Sequence, residues 1–419
     1  MKILVLAGGV PYPPTWGSGM RTFQLLRHIA RRHDVTLLCP AAAADRDRVE
    51  ALATEVPGLS LRTVAQPGRS RRARRVRQAR AVVGPLPFLA AEVRSAQLQS
   101  GLDSIVHAER FDVIQLEGSQ LASLRIPSGP ALVVNAHNIE YEMLDRMRRA
   151  ERTAVRRAFN SLEYLKYRSY EHRVWHRADG CAVVSDRELA LVRAATPGTP
   201  AFTVPNAVDP DFFAPGSDAI VPDSLVFTGL LSYRPNFDAA LHLVDSIFPL
   251  IRRRRPGATL TVVGDGDAEH FAALRRDGVT VTGRVPDLRP YVRRAAVCVA
   301  PIRMGGGTRL KVLEALSMGK AIVSTPLGSE GIDARDREHL LIAQDRPVVF
   351  AEAVVSLLAD PVAASRLGRQ GRRLVETRYT WERAASQMEE LYGAAVRSGR
   401  PALSPTTPLT LGLRPARER

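Results

Sequence analysis

Residues 301–320 read PIRMGGGTRLKVLEALSMGK: a short apolar run ends at Pro301, three glycines follow, and an amphipathic pattern begins near Thr308. Glycines let a backbone approach a ligand closely, and the free N–H groups at a helix start attract phosphate. The pattern therefore predicts a strand, a turn and a helix, with an anion-binding turn at the start of the helix.

Two charged side chains share one side of this predicted helix. On a helical wheel, Lys311 and Glu314 lie opposite Leu310, Leu313 and Ser317. A cation at a helix start can neutralise a phosphate, and a carboxylate one turn later can accept hydrogen bonds from the two hydroxyls of a ribose. A nucleotide diphosphate requires that pair in that order. The alternative is a surface Lys–Glu pair beside an ordinary glycine-rich turn.

Short β-type runs alternate with helical patterns along the first half of the chain. Several runs are continuously apolar, which is typical of parallel strands covered on both faces. Helical patterns occur between them, for example at 20–31 and 139–177. The predicted strands are 2–7, 34–39, 59–65, 112–116, 131–135, 179–184 and 201–205. Repeated strand–helix–strand units predict a doubly wound α/β sheet.

The pattern restarts after a turn-rich patch. The predicted strands of the second half are 225–229, 258–263, 279–282, 296–301, 321–324 and 340–342. We therefore expect an α/β protein of two doubly wound, Rossmann-like domains, 1–205 and 221–377, joined by a linker at 206–220 and facing across a cleft. Residues 397–419 lack periodicity and are rich in Pro, Thr, Arg and Gly, which predicts a disordered tail.

Length and composition limit the class of protein. The chain has 419 residues, of which 45% are hydrophobic and 24% charged, so it is long enough for two globular domains and is not fibrous or disulfide-stapled. Lys and Arg number 59 against 43 acidic residues, and the net charge of +16 suits an acidic partner. The three dispersed cysteines predict buried thiols in a reducing compartment. No run approaches the roughly 18–20 apolar residues of a membrane span, so we expect a cytoplasmic protein.

Candidate ligand-binding residues also follow strands of the first domain. Gly17, Ser18 and Gly19 form a second glycine-rich loop, with a helix expected from Met20. This loop could touch a phosphate or a second substrate, or it could simply turn the chain.

Three more polar residues follow predicted strands. His137, with Asn138 beside it, could donate to a sugar hydroxyl or cap the next helix. Glu117 could contact an acceptor or merely favour a helix N-terminus. Arg234 could pair with phosphate or be solvated.

The sequence gives little reason to expect a metal. Of three Asp-x-Asp triplets, only Asp265-Gly266-Asp267 closely follows a strand, and a glycine-flanked turn explains it as well as a divalent ion on a diphosphate does. No cysteine cluster, His-Glu-x-x-His or P-loop ending is present. We therefore predict no metal and no resident cofactor.

The densest charge run contains seven arginines between residues 69 and 80, beside a narrow stripe of Ala and Val at helical spacing. A basic amphipathic helix can lie on an anionic membrane, whereas a solvated arginine-rich helix is the alternative. Nucleic-acid binding would require interleaved aromatic residues, which this run lacks. A peripheral contact with the inner membrane face therefore stays open, and nucleic acid is not an expected partner.

Taken together, these blocks resemble the retaining family 4 glycosyltransferases of GT-B fold, the bacterial glycosyl transferase group 1 type. The resemblance is carried by 305–311, 314–316 and 318–325, and by an opening loop with Pro13-Pro14 and Arg21. Val204–Asp209 is similar to the family's domain junction, and 380–392 to its closing helix. The resemblance spans about 1–395 and implies that a helix at about 378–396 crosses back onto the first domain.

The resemblance also implies roles by position. Thr308, Leu310 and Lys311 hold the diphosphate, and Glu314 holds the ribose. His137 contacts the donor sugar, Gly17–Gly19 shape the loop near the phosphate, and Arg284 and Val285 lie near the base. Gly305, Gly306, Gly307 and Arg309 complete the donor-binding set, and Glu117 and Asn138 are the acceptor-side candidates.

Two positions depart from the family's pattern. Gly306 stands where the family often has a Glu that contacts the sugar, so the identity of the donor sugar stays open. Leu230 stands where the family has an Arg on the phosphate, while Arg234 is near the position of the family's Lys and Arg309 can add charge.

We therefore predict a metal-independent, retaining glycosyltransferase of the hexosyltransferase type, with His137, Lys311 and Arg234 as its catalytic residues. A nucleotide diphosphate sugar is its co-substrate, and a glycan, a lipid-linked sugar or a small metabolite supplies the acceptor hydroxyl. The alternatives are a nucleotide-sugar epimerase of the same fold and a non-catalytic nucleotide-sugar-binding protein.

Overall fold

The computed structural model describes residues 1–14, 16–66, 71–151 and 153–398, apart from the side chains of 71–75 and 150. The chain divides into two compact units: the first is Met1–Val204 together with the residues from Ala385, and the second is Pro205–Ala384. Each unit contains one parallel β-sheet with helices between its strands, so the predicted α/β fold class is confirmed.

Within the described residues, the sheet of the first unit has seven strands in the order β3-β2-β1-β4-β5-β6-β7. They are β1 (Lys2–Leu6), β2 (Asp34–Ala41), β3 (Leu59–Ala65), β4 (Val113–Glu117), β5 (Ala131–Asn135), β6 (Gly180–Val183) and β7 (Ala201–Thr203). Every neighbouring pair is parallel; Leu4, for example, pairs with Thr36 of β2 and Ile114 of β4. The predicted strands of this half are confirmed to within two residues at each end.

Helices connect the strands of the first sheet. They are α1 (Gly17–Ile29), α2 (Arg46–Glu55), α3 (Arg71–Val83), α4 (Phe88–Val93), α5 (Ala96–Ala108), α6 (Glu140–Ala150), α7 (Ala154–Arg177) and α8 (Asp186–Ala195). Short 3₁₀ turns lie at Ala43–Asp45 and Ser119–Ser123. The core contains the apolar faces of β1, β4 and β5, and Trp175 of α7 is completely buried in it.

One helix prediction is wrong. The pattern at 139–177 predicts one long helical stretch, but the structure has α6 and α7, with Glu151 and Thr153 in extended conformation between them. The break lets the two helices pack on each other, so that Tyr141 contacts the rings of Tyr164 and Trp175. This burial outweighs the continuity of a single helix.

In the second unit, the described residues form a six-stranded parallel sheet in the order β10-β9-β8-β11-β12-β13. Its strands are β8 (Ser224–Thr228), β9 (Thr259–Val263), β10 (Val279–Val281), β11 (Val297–Ala300), β12 (Ile322–Ser324) and β13 (Leu341–Ile342). All six predicted strands are confirmed to within one residue, because their apolar residues lie in the core of this unit or pack against it.

Helices again connect these strands. They are α9 (Arg234–His242), α10 (Phe248–Arg254), α11 (Ala268–Ala273), α12 (Arg289–Arg294), α13 (Leu310–Ser317), α14 (Pro347–Ala359) and α15 (Pro361–Arg378), with a π-helical turn at Leu243–Ile247. The last helix, α16 (Trp381–Ser398), starts in the second unit, and its residues from Ala385 belong to the first.

Some expectations fall wholly or partly outside the described residues. Arg69 and residues 399–419 of the tail expected at 397–419 are among these, and only the helical backbone of α3 is described at 71–75. The first two residues of the expected tail are helical instead, because α16 extends to Ser398. Over the described ranges, no single helix is long and apolar enough to cross a membrane. Helices α14 and α15 meet that test of length and composition only as a pair, which is bent by 102°.

Helix α13 is fixed in the second unit by close packing on α15. Gly368 and Gly371 of α15 are buried, and a Cβ atom at Gly368 would overlap the carbonyl oxygen of Gly319, just after α13. Arg372 donates a hydrogen bond of 2.5 Å to the carbonyl of Ser317, the last residue of α13. Glycine on α15 thus sets how closely α13 approaches.

Gly368→Ala should therefore destabilise the protein, although alanine is the better helix former. The overlap is with backbone, which cannot turn aside, so we expect a loss of about 1–3 kcal/mol in the free energy of unfolding. Gly257→Ala is the matched control, because nothing lies within 4 Å of a Cβ atom there. Thermal unfolding of the two variants tests this, and equal melting temperatures would contradict it.

Candidate functional site

Each sheet reverses its strand order at one point. In the first unit this is between β1 and β4, and in the second between β8 and β11. Ligands of open α/β sheets bind beyond the carboxyl ends of the strands at such points, because the following loops diverge and leave a crevice. In the second unit the flanking loops are 229–233 and 301–309.

Loop 301–309 needs its glycines. Gly305 and Gly307 have φ angles of 107° and 74°, a region that side chains with a Cβ atom adopt only under strain. Arg309 folds over the loop and donates to the carbonyl of Gly306. Helix α13 begins at Leu310, two residues after the predicted start, because Arg309 is still extended with φ −85° and ψ 97°.

Helix α13 brings Lys311 and Glu314 together. Both residues are partly buried and line one small cavity of about 20 Å³, together with Thr228, Cys298 and Ala300. The Lys311 ammonium donates a hydrogen bond of 2.9 Å to Oδ1 of Asn236 and lies 4.3 Å from the ring centroid of Phe227. The cation and the carboxylate therefore share one side of the helix at the crevice.

This enclosure changes the proton affinity of both groups. Burial lowers the pKa of Lys311 to about 7, the nearby charge of Arg309 lowers it further, and Glu314 opposes the shift. Burial also raises the pKa of Glu314 to about 7, and Lys311 opposes that shift. Each charge thus lacks the solvation it would have in water, which an anionic or hydroxyl-bearing ligand can replace.

Sequence reasoning missed Asn236. It lies in the first turn of α9, where its side chain also donates 3.0 Å to the carbonyl of Leu230 and so links the loop after β8 to Lys311. A polar side chain just after a buried strand was the available signal, but 75 residues separate Asn236 from Lys311. Only the adjacency of β8 and β11 brings them together.

The other predicted residues of the second unit are less enclosed. Arg234 is exposed at the first position of α9, and Arg284 is exposed after β10. Val285 packs partly buried against the core of this unit. Thr308 is 8% exposed, and its hydroxyl has no hydrogen-bond partner among the described residues. Roles for these four residues in donor binding stay predictions.

In the first unit, the structure brings His137 and Glu117 together. Nε2 of His137 lies 2.8 Å from Oε2 of Glu117, which is 5% exposed at the end of β4. Thr22, one turn into α1, donates 2.8 Å to the same carboxylate oxygen. Asn138 lies half-buried beside His137. Contact of Glu117 or Asn138 with an acceptor stays a prediction. The short distance between Glu117 and His137 favours a role for Glu117 in positioning the imidazole.

The glycine-rich segment before α1 differs from the prediction. The helix starts at Gly17, not at Met20, so Gly17, Ser18 and Gly19 form its first turn. Trp16 is the preceding cap, and its indole lies so close over Gly19 that a Cβ atom would meet the ring at 2.5–2.8 Å. The glycine therefore lets the aromatic ring cover the start of the helix.

The side chains of Asp265 and Asp267 stabilise the turn and the helix start in which they lie. Oδ1 of Asp265 accepts from the amide of Gly266, and Asp267 caps α11 by accepting from the amide of His270 at 3.0 Å. No group of three or more potential metal-ligating side chains occurs in the part of the chain that the structure describes.

Two family models match the chain in succession. The one described as Glycosyltransferase Family 4 matches residues 17–212, and the one described as Glycosyl transferases group 1 matches residues 222–360. The first lies almost wholly in the first unit, and the second lies within the second unit. Together they include every candidate residue named above.

Individual proteins are similar over part or all of the chain. A glycogen synthase of Mycobacterium tuberculosis is 28% identical over 43% of this chain and 44% of its own length, so the aligned region spans less than half of that relative. The lipopolysaccharide core biosynthesis mannosyltransferase LpcC of Rhizobium leguminosarum bv. viciae is 24% identical over 61% of this chain and 75% of its own. The solved sucrose-phosphate synthase of Thermosynechococcus elongatus has the same fold, with a TM-score of 0.71 and 20% identity over 95% of this chain and 100% of that one.

Lys311→Met should stabilise the unliganded protein near neutral pH. Because the pKa of folded Lys311 lies below its ordinary value of 10.5, the unfolded chain binds this proton more tightly. The protonated ammonium therefore lowers the free energy of unfolding. This penalty is largest below about pH 7, the pKa of Lys311 in the folded protein, and it disappears as the pH rises toward 10.5. A methionine of similar shape avoids it, so we expect a melting temperature higher by about 2–4 °C at pH 7, and a smaller gain at pH 9.

Lys166→Met is the control for this prediction. Lys166 donates to the carbonyls of Ala81, Val82 and Gly84 at 2.5–2.8 Å, so its loss should lower the melting temperature. A Lys311→Met protein that melts at or below the wild-type temperature at pH 7 would show that burial of the Lys311 charge does not destabilise the folded protein.

Proposed function

Since the chain belongs to the glycosyltransferases of the GT-B fold, we propose that it transfers a hexose from a nucleotide diphosphate sugar to a hydroxyl acceptor. The transfer proceeds with retention at the anomeric carbon and needs no metal ion. The observation that carries this proposal is the enclosed pair of Lys311 and Glu314, one turn apart on the helix that follows a glycine-rich loop.

The diphosphate is assigned to the start of α13. The N–H groups at the start of that helix and the Lys311 ammonium offer positive charge at the same place, and the Thr308 hydroxyl, which has no hydrogen-bond partner among the described residues, adds a donor beside them. A bound phosphate favours the charged form of Lys311, whose pKa of about 7 leaves it poised to take up a proton. Exposed Arg234 can approach the same anion.

Glu314 is assigned to the ribose. A carboxylate accepts but cannot donate, so it pairs with the two hydroxyls of a ribose and repels phosphate. Its place three residues after Lys311 matches the step from diphosphate to ribose along a nucleotide. Arg284 and Val285 are assigned to the base, and the backbone of 305–307 to the sugar, where the family often has a glutamate.

Charge develops on the leaving diphosphate as its bond to the anomeric carbon breaks. Lys311 and the N–H groups at the start of α13 are oriented before the reaction, so they stabilise this charge without reorganisation, and exposed Arg234 adds its charge when it approaches the anion. His137 is proposed to contact the donor sugar. The acceptor hydroxyl then attacks the anomeric carbon on the face that the diphosphate leaves and passes its proton to an oxygen of the departing diphosphate, so no covalent nucleophile is needed.

The similar proteins indicate only the chemical class of the acceptor. The name of the glycogen synthase indicates a glycan acceptor. The name of the lipopolysaccharide core mannosyltransferase indicates a lipid-linked acceptor. We propose an acceptor of this kind, reached from the cytoplasmic side. For a lipid-linked acceptor, helix α3 with its arginines would supply the contact with an anionic membrane.

A panel of UDP-, GDP- and ADP-sugars tests the proposal, with thermal shift and donor turnover measured in EDTA. The sugars of one nucleotide should raise the melting temperature of the wild-type protein. The sugar should be transferred with retention, which NMR of the anomeric proton measures. Lys311→Ala should cut turnover by about two orders of magnitude, since it removes one preorganised charge. Glu314→Ala should lose affinity for the nucleoside diphosphate but not for inorganic pyrophosphate.

Arg335→Ala, which removes an exposed charge of the same unit, is the control and should behave as wild type. Full turnover by folded Lys311→Ala would contradict the diphosphate assignment. Activity that is lost in EDTA and restored by Mg²⁺ would contradict metal independence and move attention to Asp265 and Asp267. Binding without any turnover would favour a sugar-nucleotide-binding protein.

A further inference from the structure

We propose that the last helix, α16, sets the position and tautomer of His137 through a buried chain of hydrogen bonds from Tyr392 through Gln115 and Glu117. Tyr392 belongs to the part of α16 that lies in the first unit, and all four residues are within that unit. The catalytic consequence rests on the proposed function, whereas the structural link does not.

Glu117 is the centre of this chain. His137 Nε2 and Thr22 Oγ1 each lie 2.8 Å from its Oε2, and Nδ2 of Asn135 donates at 3.1 Å. Gln115 donates to Oε1 through Nε2. This carboxylate is 5% exposed, and both of its oxygens accept hydrogen bonds from buried protein groups. Glu117 therefore acts through the groups it holds.

The charge of Glu117 decides which nitrogen of His137 carries a proton. Burial acts to raise the pKa of Glu117, but the hydrogen bonds from His137, Thr22 and Asn135 outweigh it, so the pKa lies below its ordinary value. An ionised carboxylate only accepts, so Nε2 of His137 must donate. Nδ1 is then the unprotonated ring atom, and it is buried with no hydrogen-bond partner in the described ranges.

Gln115 transmits the orientation from α16. Its Oε1 accepts from the Tyr392 hydroxyl, and its Nε2 donates to Glu117. Complete burial raises the pKa of Tyr392 well above its ordinary value, so the phenol stays protonated and donates. A flipped Gln115 amide would place its oxygen against the Glu117 carboxylate and would lose the hydrogen bond that Oε1 accepts from Tyr392. Glu117 and Tyr392 together therefore fix the direction of the Gln115 amide.

A second buried contact holds Glu117 from the other side. Arg21 is 1% exposed and donates to Oδ1 of Asn135 from Nε at 3.2 Å and from Nη2 at 2.8 Å. This turns Nδ2 of Asn135 toward Glu117. The carboxylate thus has one orientation, and the imidazole that donates to it has one tautomer.

Tyr392 is 277 residues from Gln115 in sequence, so the closing helix does more than cover the sheet. Tyr392, Gln115 and Glu117 are buried positioning residues that act through His137. Their loss should reduce the rate of turnover while leaving nucleotide affinity unchanged, because the proposed nucleotide contacts lie in the second unit.

Proton NMR with ¹⁵N-labelled histidine tests the link without any assay of activity. In the wild-type protein, His137 should show one tautomer, protonated at Nε2 with slow exchange of that proton. Glu117→Gln should speed this exchange at least tenfold and mix the tautomers, and Tyr392→Phe should speed it several-fold. Glu163→Gln is the control, since this buried carboxylate accepts from the amide of Phe88 and has no part in the chain.

Turnover kinetics give the second readout. Glu117→Gln should lower kcat by about 10–100-fold and Tyr392→Phe by a few-fold, with nucleotide affinity unchanged. In a His137→Gln background, neither should lower kcat further. A Tyr392→Phe protein whose His137 signals match those of Glu163→Gln would overturn the proposal, and so would full additivity with His137→Gln. If the protein has no transferase activity, the NMR result still decides whether the link exists.

Discussion

The enclosure of Lys311 and Glu314 at the start of α13 is the constraint on which the rest of the second unit depends. Both ionisable groups line one small cavity, and burial moves the pKa of each toward 7 from opposite directions. Such groups cost stability in the free protein, so the fold must hold them by other contacts. The close packing of α13 on α15 and the hydrogen bond that Lys311 donates to Asn236 provide these contacts.

The first unit uses the same principle with a different result. Its buried carboxylate, Glu117, is surrounded by donors, so its charge is compensated and its pKa is lowered. The group it holds, His137, keeps one ring nitrogen unpartnered among the described residues. One unit thus contains an undercompensated cation–carboxylate pair, and the other a compensated carboxylate that orients an imidazole.

The sequence predicted what depends on local pattern and missed what depends on sheet order. Continuous or alternating apolar runs predicted the strands, since residues that pack into a core leave a signal within each run. Helix starts at Gly17 and Leu310 differ from the predictions, because capping by Trp16 and the extended Arg309 depend on backbone detail. Partners such as Asn236 and Tyr392 could not be found, because only the neighbouring strands or a returning helix bring them to the site.

The central claim is that Lys311 receives a diphosphate, and calorimetry at pH 8 in two buffers of different ionisation enthalpy tests it most directly. With a pKa of about 7, free Lys311 is mostly neutral at that pH, whereas a bound diphosphate favours its charged form. Binding of the nucleoside diphosphate that the protein prefers should therefore take up close to one proton in wild type and none in Lys311→Arg, which is always charged. Binding with no proton uptake in wild type, or with equal uptake in Lys311→Arg, would contradict the account.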